Sequence, residues 1–175
     1  MFNLKVYVMR KITFILFAFF IYTANAQIQN KIYNCTLGKT SFSQVVNNVN
    51  NKGYIPLPYE DFLFANNVSW GGVKWAVATF QFDESRRLVA IRFLIDETTT
   101  PKNKIYYTFE QLKKKLQKKY FSYMVNDDEG IIRFVDKITG LNLIYHNNED
   151  NTCVELQYMY FPYFVNEYER GNNEL

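Results

Sequence analysis

The chain has 175 residues, with 20 Lys+Arg against 17 Asp+Glu, two cysteines and one histidine. Three of the basic residues, Lys5, Arg10 and Lys11, fall in the first 26 positions, where there is no acid, so Gln27 to Leu175 carries 17 basic (20 − 3) and 17 acidic residues. A neutral domain lacks the basic excess that a phosphate backbone selects for, which argues against a nucleic-acid partner.

The N-terminus has the order of a secretory signal. Lys5, Arg10 and Lys11 form a basic region, Ile12 to Ile21 an apolar run of about ten residues, and Ala24-Asn25-Ala26 a small-residue site. A membrane-spanning helix needs about 20 apolar residues, more than this run supplies. The expected product is exported to the periplasm or medium after cleavage between Ala26 and Gln27. No later stretch is apolar and long enough to span a membrane, and no Cys follows the cut to carry a lipid. In an oxidising compartment Cys35 and Cys153 are expected to form one disulfide.

In chain order, the first expected element is a helix opened by Ser41-Phe42-Ser43-Gln44, a hydroxyl followed three positions later by Gln. Phe42, Val45, Val46 and Val49 give its apolar face, and Gly53 its stop. Residues 55–70 are left without an assigned element, as a layer that could cover the sheet. Trp75 to Phe82 and Leu88 to Ile95 form a hairpin about the polar turn Asp83-Glu84-Ser85-Arg86. Asp96 to Asn103 is a linker. A second helix is expected from Thr108-Phe109-Glu110-Gln111, with Leu112, Leu116 and Tyr120 on its apolar face. Two more hairpins follow: Phe121 to Val125 with Ile131 to Val135, and Leu141 to His146 with Cys153 to Phe161. The tail beyond Phe164 is polar and expected to fray.

The two halves, 36–96 and 104–164, are related by an offset of 67 positions (108 − 41), which aligns the helix openings and carries Val89, Ile91 and Phe93 onto Leu156, Tyr158 and Tyr160. The predicted class is α+β: a tandem helix-plus-antiparallel-hairpins repeat, forming one antiparallel sheet with helices packed on one face. With its helix openings of the [ST]-F-x-Q type in an exported chain, this plan resembles the β-lactamase-inhibitor-protein-like group. It is also similar to the small envelope lipoproteins that assist outer-membrane assembly, from which this chain departs in lacking a lipid-bearing Cys. The resemblance covers most of the chain after the signal and lies at the level of architecture, which does not by itself fix function. No loop matches an inhibitory one, so no site residue is carried over.

If helices cover the face bearing Val89, Ile91, Phe93, Leu156, Tyr158 and Tyr160, the other face presents Trp75, Val77, Thr79, Arg92, Leu94, Ile144, His146, Gln157, Met159 and Phe161. That face is unusually apolar for the wet side of an antiparallel sheet. An apolar patch rimmed by polar groups is what a binding surface looks like. The favoured reading is a non-enzymatic binding module for a protein, peptide or glycan. The alternatives are a structural or assembly protein using the patch as a homo-oligomer interface, and a small secreted hydrolase using Asp or Glu.

No residue is assigned a catalytic role. His146 has no nucleophile motif beside it. Asp127-Asp128-Glu129 and Asn147 to Asn151 lack EF-hand spacing and read as ordinary turns. Lys113, Lys114, Lys115, Lys118 and Lys119 read as a solvated helix face. No metal or cofactor is implied.

Overall fold

The computed structural model describes residues 27–173 except 129, 149 and 150. The signal segment, Glu129, Glu149 and Asp150 lie outside the described residues. A short hairpin, β1 (Lys31–Ile32) and β2 (Cys35–Thr36), leads into helix α1 (Phe42–Asn50). Four strands follow: β3 (Leu57–Tyr59), β4 (Phe62–Trp70), β5 (Val73–Phe82) and β6 (Leu88–Asp96). Helix α2 (Lys102–Tyr120) opens a second series, β7 (Met124–Asp128), β8 (Ile131–Val135), β9 (Thr139–Asn148) and β10 (Asn151–Tyr160), and helix α3 (Phe161–Asn173) ends the described chain.

The other eight strands form one antiparallel sheet in the order β3-β4-β5-β6-β10-β9-β8-β7. Each series runs from an edge to the centre, so the last strands of the two series meet there. β6 and β10 pair Ile91 with Tyr158 and Phe93 with Leu156. Ile91 and Tyr158 are themselves 67 positions apart (158 − 91), and pairing spreads symmetrically from them. An antiparallel pair of equivalent strands that matches one residue with its own equivalent has a local two-fold axis at that point. The class is α+β, with three helices beside a large antiparallel sheet.

One face, here the inner face, carries the core. Phe80, Phe82, Ile91, Phe93, Leu141, Leu143, Leu156 and Tyr158 are buried there against Val45 and Val49 of α1, and against Ile105, Phe109, Leu112, Leu116 and Tyr120 of α2. The N-terminal segment completes this layer through Ile28, Ile32, Tyr33, Cys35 and Leu37.

Local chemistry explains the first helix. Ser41 N–H donates to Gln44 Oε1 at 3.0 Å, the reciprocal half of a capping box. At the other end Gly53 N–H donates to Asn50 O at 2.8 Å and Tyr54 N–H to Val49 O at 3.3 Å, the paired bonds of a Schellman stop. Gly53 sits at φ 82°, where a side chain is disfavoured.

The second helix departs from expectation. It starts at Lys102, after Pro101, so Thr108 lies inside it and its hydroxyl donates back to Lys104 O at 2.9 Å. A proline fits a helix start because its missing N–H would be unsatisfied there anyway. Residues 55–70 are not a covering layer: β3 and β4 are the outer two strands of the sheet's first half. Residues 165–173, expected to fray, are helical as part of α3.

Candidate functional site

The outer face of the sheet is built from residues that pair across strands in rows. One row runs Phe64, Thr79, Arg92, Gln157, Asn142, Arg133 from β4 to β8. The next runs Val77, Leu94, Glu155, Ile144, Ile131. A shorter third row joins Asp96, Cys153 and His146. Of the predicted residues, Val77, Arg92, His146, Gln157 and Met159 all lie on this face, together with Thr79, Leu94 and Ile144.

Trp75 does not. Pairing of β4 with β5 is interrupted opposite Asn67, whose φ is 53°, and the inward positions shift by one on both strands at that point. Leu63 and Ala65 give way to Val68, and Phe82, Phe80 and Ala78 give way to Trp75. The indole is turned into the core, where its Nε1 donates to Trp70 O at 3.0 Å and its ring sits 5.5 Å from that of Phe93. Strict alternation, carried through from Thr79, places this residue on the wrong side.

Phe161 is a correction of another kind. It is the first residue of α3, and its N–H donates to Ile138 O at 2.9 Å. α3 then lays Phe164 over the outer face, closing a cleft of about 90 Å³ lined by Phe62, Thr79, Gln81, Ala90, Ile91, Arg92, Gln157 and Met159. That volume is well below the roughly 300–1,000 Å³ of ordinary small-molecule sites.

The expected disulfide is absent: Cys35 and Cys153 are both free and buried. Cys35 belongs to the inner layer, where its Sγ is 3.5 Å from Asn48 Nδ2, while Cys153 is on the outer face between Asp96 and His146. The sheet separates them, whereas a bridge needs Cα atoms within about 4.4–6.8 Å of each other.

At the centre of the outer face lies a residue that the sequence did not single out. Glu155 stands in the apolar row between Leu94 and Ile144, and its side chain is only 12% exposed. Its Oε1 is paired with Arg92 Nε and accepts from Gln157 Nε2 at 2.6 Å, and its Oε2 is 3.9 Å from His146 Nε2. Asn142 Nδ2 donates in turn to Gln157 Oε1 at 3.1 Å. The Arg92 side chain remains 56% exposed, so one end of the network is wet and the other dry. The parity of Gln157 and Met159 on the same strand was the available signal for Glu155.

Apolar surface surrounds this network. Leu57 and Tyr59 of β3 are 49% and 63% exposed and pair with Phe64 and Phe62 of β4. Tyr59 and Phe64 rings are 6.4 Å apart, and Phe62 and Phe64 6.3 Å. Ile55, just before β3, is 77% exposed. Pro56 and Pro58 alternate with these residues. Without an N–H, they blunt β3 as a template for another strand, so contact here is made by side chains.

Several chemistries find little support. The Cys153 thiol is pushed up by burial and then by the Glu155 and Asp96 carboxylates, the opposite of an activated nucleophile. Asp96 Oδ1 is engaged by Thr98, whose hydroxyl donates at 2.6 Å. A cleft on the helix side groups Glu110, Asp127 and Asp128 with Tyr106 and Tyr145, but Asp127 accepts from both Lys113 Nζ and Gln117 Nε2 at 2.8 Å. Among the described residues no three His, Cys, Asp or Glu side chains are grouped to hold a metal ion. No helix among them is long and apolar enough to cross a membrane.

The site is thus a partly apolar sheet face with a half-buried charged network and, among the described residues, no assembled nucleophile. The chain matches no family model, no curated protein and no solved structure.

Proposed function

We propose that the protein is an exported binding module whose outer sheet face receives the surface of a protein partner. The observation that supports this best is the continuous side-chain surface from Ile55, Leu57 and Tyr59, through Phe62 and Phe64, to Val77, Leu94 and the Arg92–Glu155–Gln157 network. Large apolar side chains gain nothing from water, and several of them contiguous on one face suit association. Arg92, Arg133 and His146 are exposed beside the apolar rows, so the fitting partner has an apolar centre and an acidic rim. The resemblance to inhibitor-like and envelope-assembly proteins points the same way, as analogy of plan.

A photoreactive side chain placed at Tyr59, Leu94 or Ile144 in the exporting cell tests this. Adducts to one other protein from all three positions, with none from Tyr107 on the helix side, support the reading. Adducts only to a second copy of the chain favour an oligomeric assembly role. Absence of adducts from all three positions overturns both.

A further inference from the structure

A second surface, on the helix side of the sheet and separate from the outer face, has a charge that no acid among the described residues compensates. An open groove of about 440 Å³ lies between α2 and the β4–β5 turn. Lys104, Thr108, Gln111 and Lys115 line it from the helix, and Lys74 from the start of β5. The helical residues are spaced i, i+4, i+7 and i+11, so they form one stripe along α2. Gly71 and Gly72, at φ 63° and 81°, make the tight turn that brings β5 back beside the helix.

Every charged side chain lining this groove is a lysine. Neighbouring lysines are neutralised: Lys102 Nζ lies 2.9 Å from Glu97 and Lys113 Nζ 2.8 Å from Asp127. The ammonium groups of Lys74, Lys104 and Lys115, the Gln111 amide and the Thr100 hydroxyl have no partner among the described residues. The groove therefore offers several free donors, cationic at both ends. Lys104 and Lys115 are 11 residues apart, about 16 Å along the helix. Between them the Tyr107 ring is 64% exposed, and Leu112 and Ile95 form an apolar floor. The volume falls within the range of small-molecule sites.

We propose that this groove binds a small ring-bodied molecule carrying two or more acidic groups, with Lys104 and Lys115 meeting the acidic groups and Tyr107 and Leu112 the ring. Sulfate, carboxylate and phosphate share the required chemistry: a compact anion that accepts charge-assisted hydrogen bonds.

Calorimetry at low salt, with three probes, tests the site: a disulfated disaccharide, the same disaccharide without sulfate, and inorganic tripolyphosphate. One disulfated disaccharide should bind per chain, more tightly than tripolyphosphate, and the neutral sugar should not bind. Lys104→Ala with Lys115→Ala should weaken the sulfated probe at least about tenfold, since each replacement removes a charge-assisted hydrogen bond to an acidic group. The charge-matched control, Lys114→Ala with Lys118→Ala, should leave binding unchanged. No saturable binding of either anion, equal losses in both double variants, or tripolyphosphate binding as tightly as the sulfated disaccharide would overturn the proposal.

Discussion

Replacing Arg92 by Ala should destabilise the protein far more than replacing Glu155 by Leu, although both substitutions break the same ion pair. The asymmetry follows from where each partner sits. The Glu155 carboxylate is on the dry side, 12% exposed, and the Arg92 side chain is 56% exposed. Removing Arg92 leaves a buried carboxylate with only Gln157 firmly bonded to it. Breaking a fully buried pair costs about 3–5 kcal/mol, and the half-wet position of Arg92 reduces this to about 2 kcal/mol. At about 2–4 °C per kcal/mol for a domain near 150 residues, the melting temperature should fall by about 4–8 °C. Leu at 155 continues the apolar row of Leu94 and Ile144 and leaves Arg92 free to turn to water. Such replacements are often neutral or stabilising, so Glu155→Leu should stay within about 1 kcal/mol of the parent. Urea and thermal unfolding followed by circular dichroism measure both. Equal destabilisation by the two variants, or an unaffected Arg92→Ala, would refute the reasoning. The expected result would also mean that the charged network is dispensable for folding, as a surface kept for recognition would be.

Further outcomes follow from single residues. Alkylation of the unfolded protein without reductant should modify two thiols, and the folded protein should react slowly, because Cys35 is 0% and Cys153 5% exposed; one bridged pair by mass would contradict the fold. Burial pushes the Tyr158 hydroxyl up to about 12, above the ordinary value of 10.0. The unfolded phenol therefore ionises first, so stability holds below about pH 10 and declines from there to about pH 12, by at most roughly 1.4 kcal/mol per unit. Alkaline unfolding should be shallower in Tyr158→Phe; an identical profile would count against the buried phenol. Gly130 and Gly53 both have positive φ, 78° and 82°, but a Cβ at Gly130 would come 2.8 Å from Tyr145 O, whereas at Gly53 it meets nothing. Gly53→Ala should cost about 1–2 kcal/mol, and Gly130→Ala clearly more in the same urea titration.

Much of this fold can be read from periodicity. The alternation of Ile91, Phe93 and Ile95 and of Leu156, Tyr158 and Tyr160 identifies the two central strands, because one face of each packs into the core, whereas Val89 lies at the irregularity beside Gln81 and Phe82, where Leu88 takes the inward place. The 67-residue offset makes Ile91 and Tyr158 equivalent, and the structure adds that these two residues pair with each other at the centre of the sheet. Where alternation breaks, the reading breaks with it. Asn67 at φ 53° and the interruption opposite it turn Trp75 inward, and nothing in the β5 sequence signals that. β3 is equally hidden, because Pro56 and Pro58 argue against a strand until its place at the sheet edge is known. The hydroxyl-plus-Gln pattern is a true helix start at Ser41 and a mid-helix coincidence at Thr108, which differ in what precedes them: Pro101 has already begun the second helix. The disulfide expectation failed because two cysteines and a compartment carry no information on which side of the sheet each side chain lies. Glu155 is hidden in the sequence for the same kind of reason: its burial depends on Arg92, His146 and Gln157 arriving from three strands.

The central claim is that the outer face, rather than the helix side, engages a protein partner. Its most direct measurement is the affinity of purified Leu57→Asp and Tyr59→Asp for the partner captured by photocrosslinking, beside Tyr107→Asp as the control. All three positions are well exposed, at 49%, 63% and 64%, so melting temperatures should not move by more than the roughly 0.5 kcal/mol typical of surface changes. The account predicts at least about tenfold weaker binding, more than 1.4 kcal/mol, for each outer-face variant and none for the control. Parental affinity in both outer-face variants, with the fold intact, would contradict it.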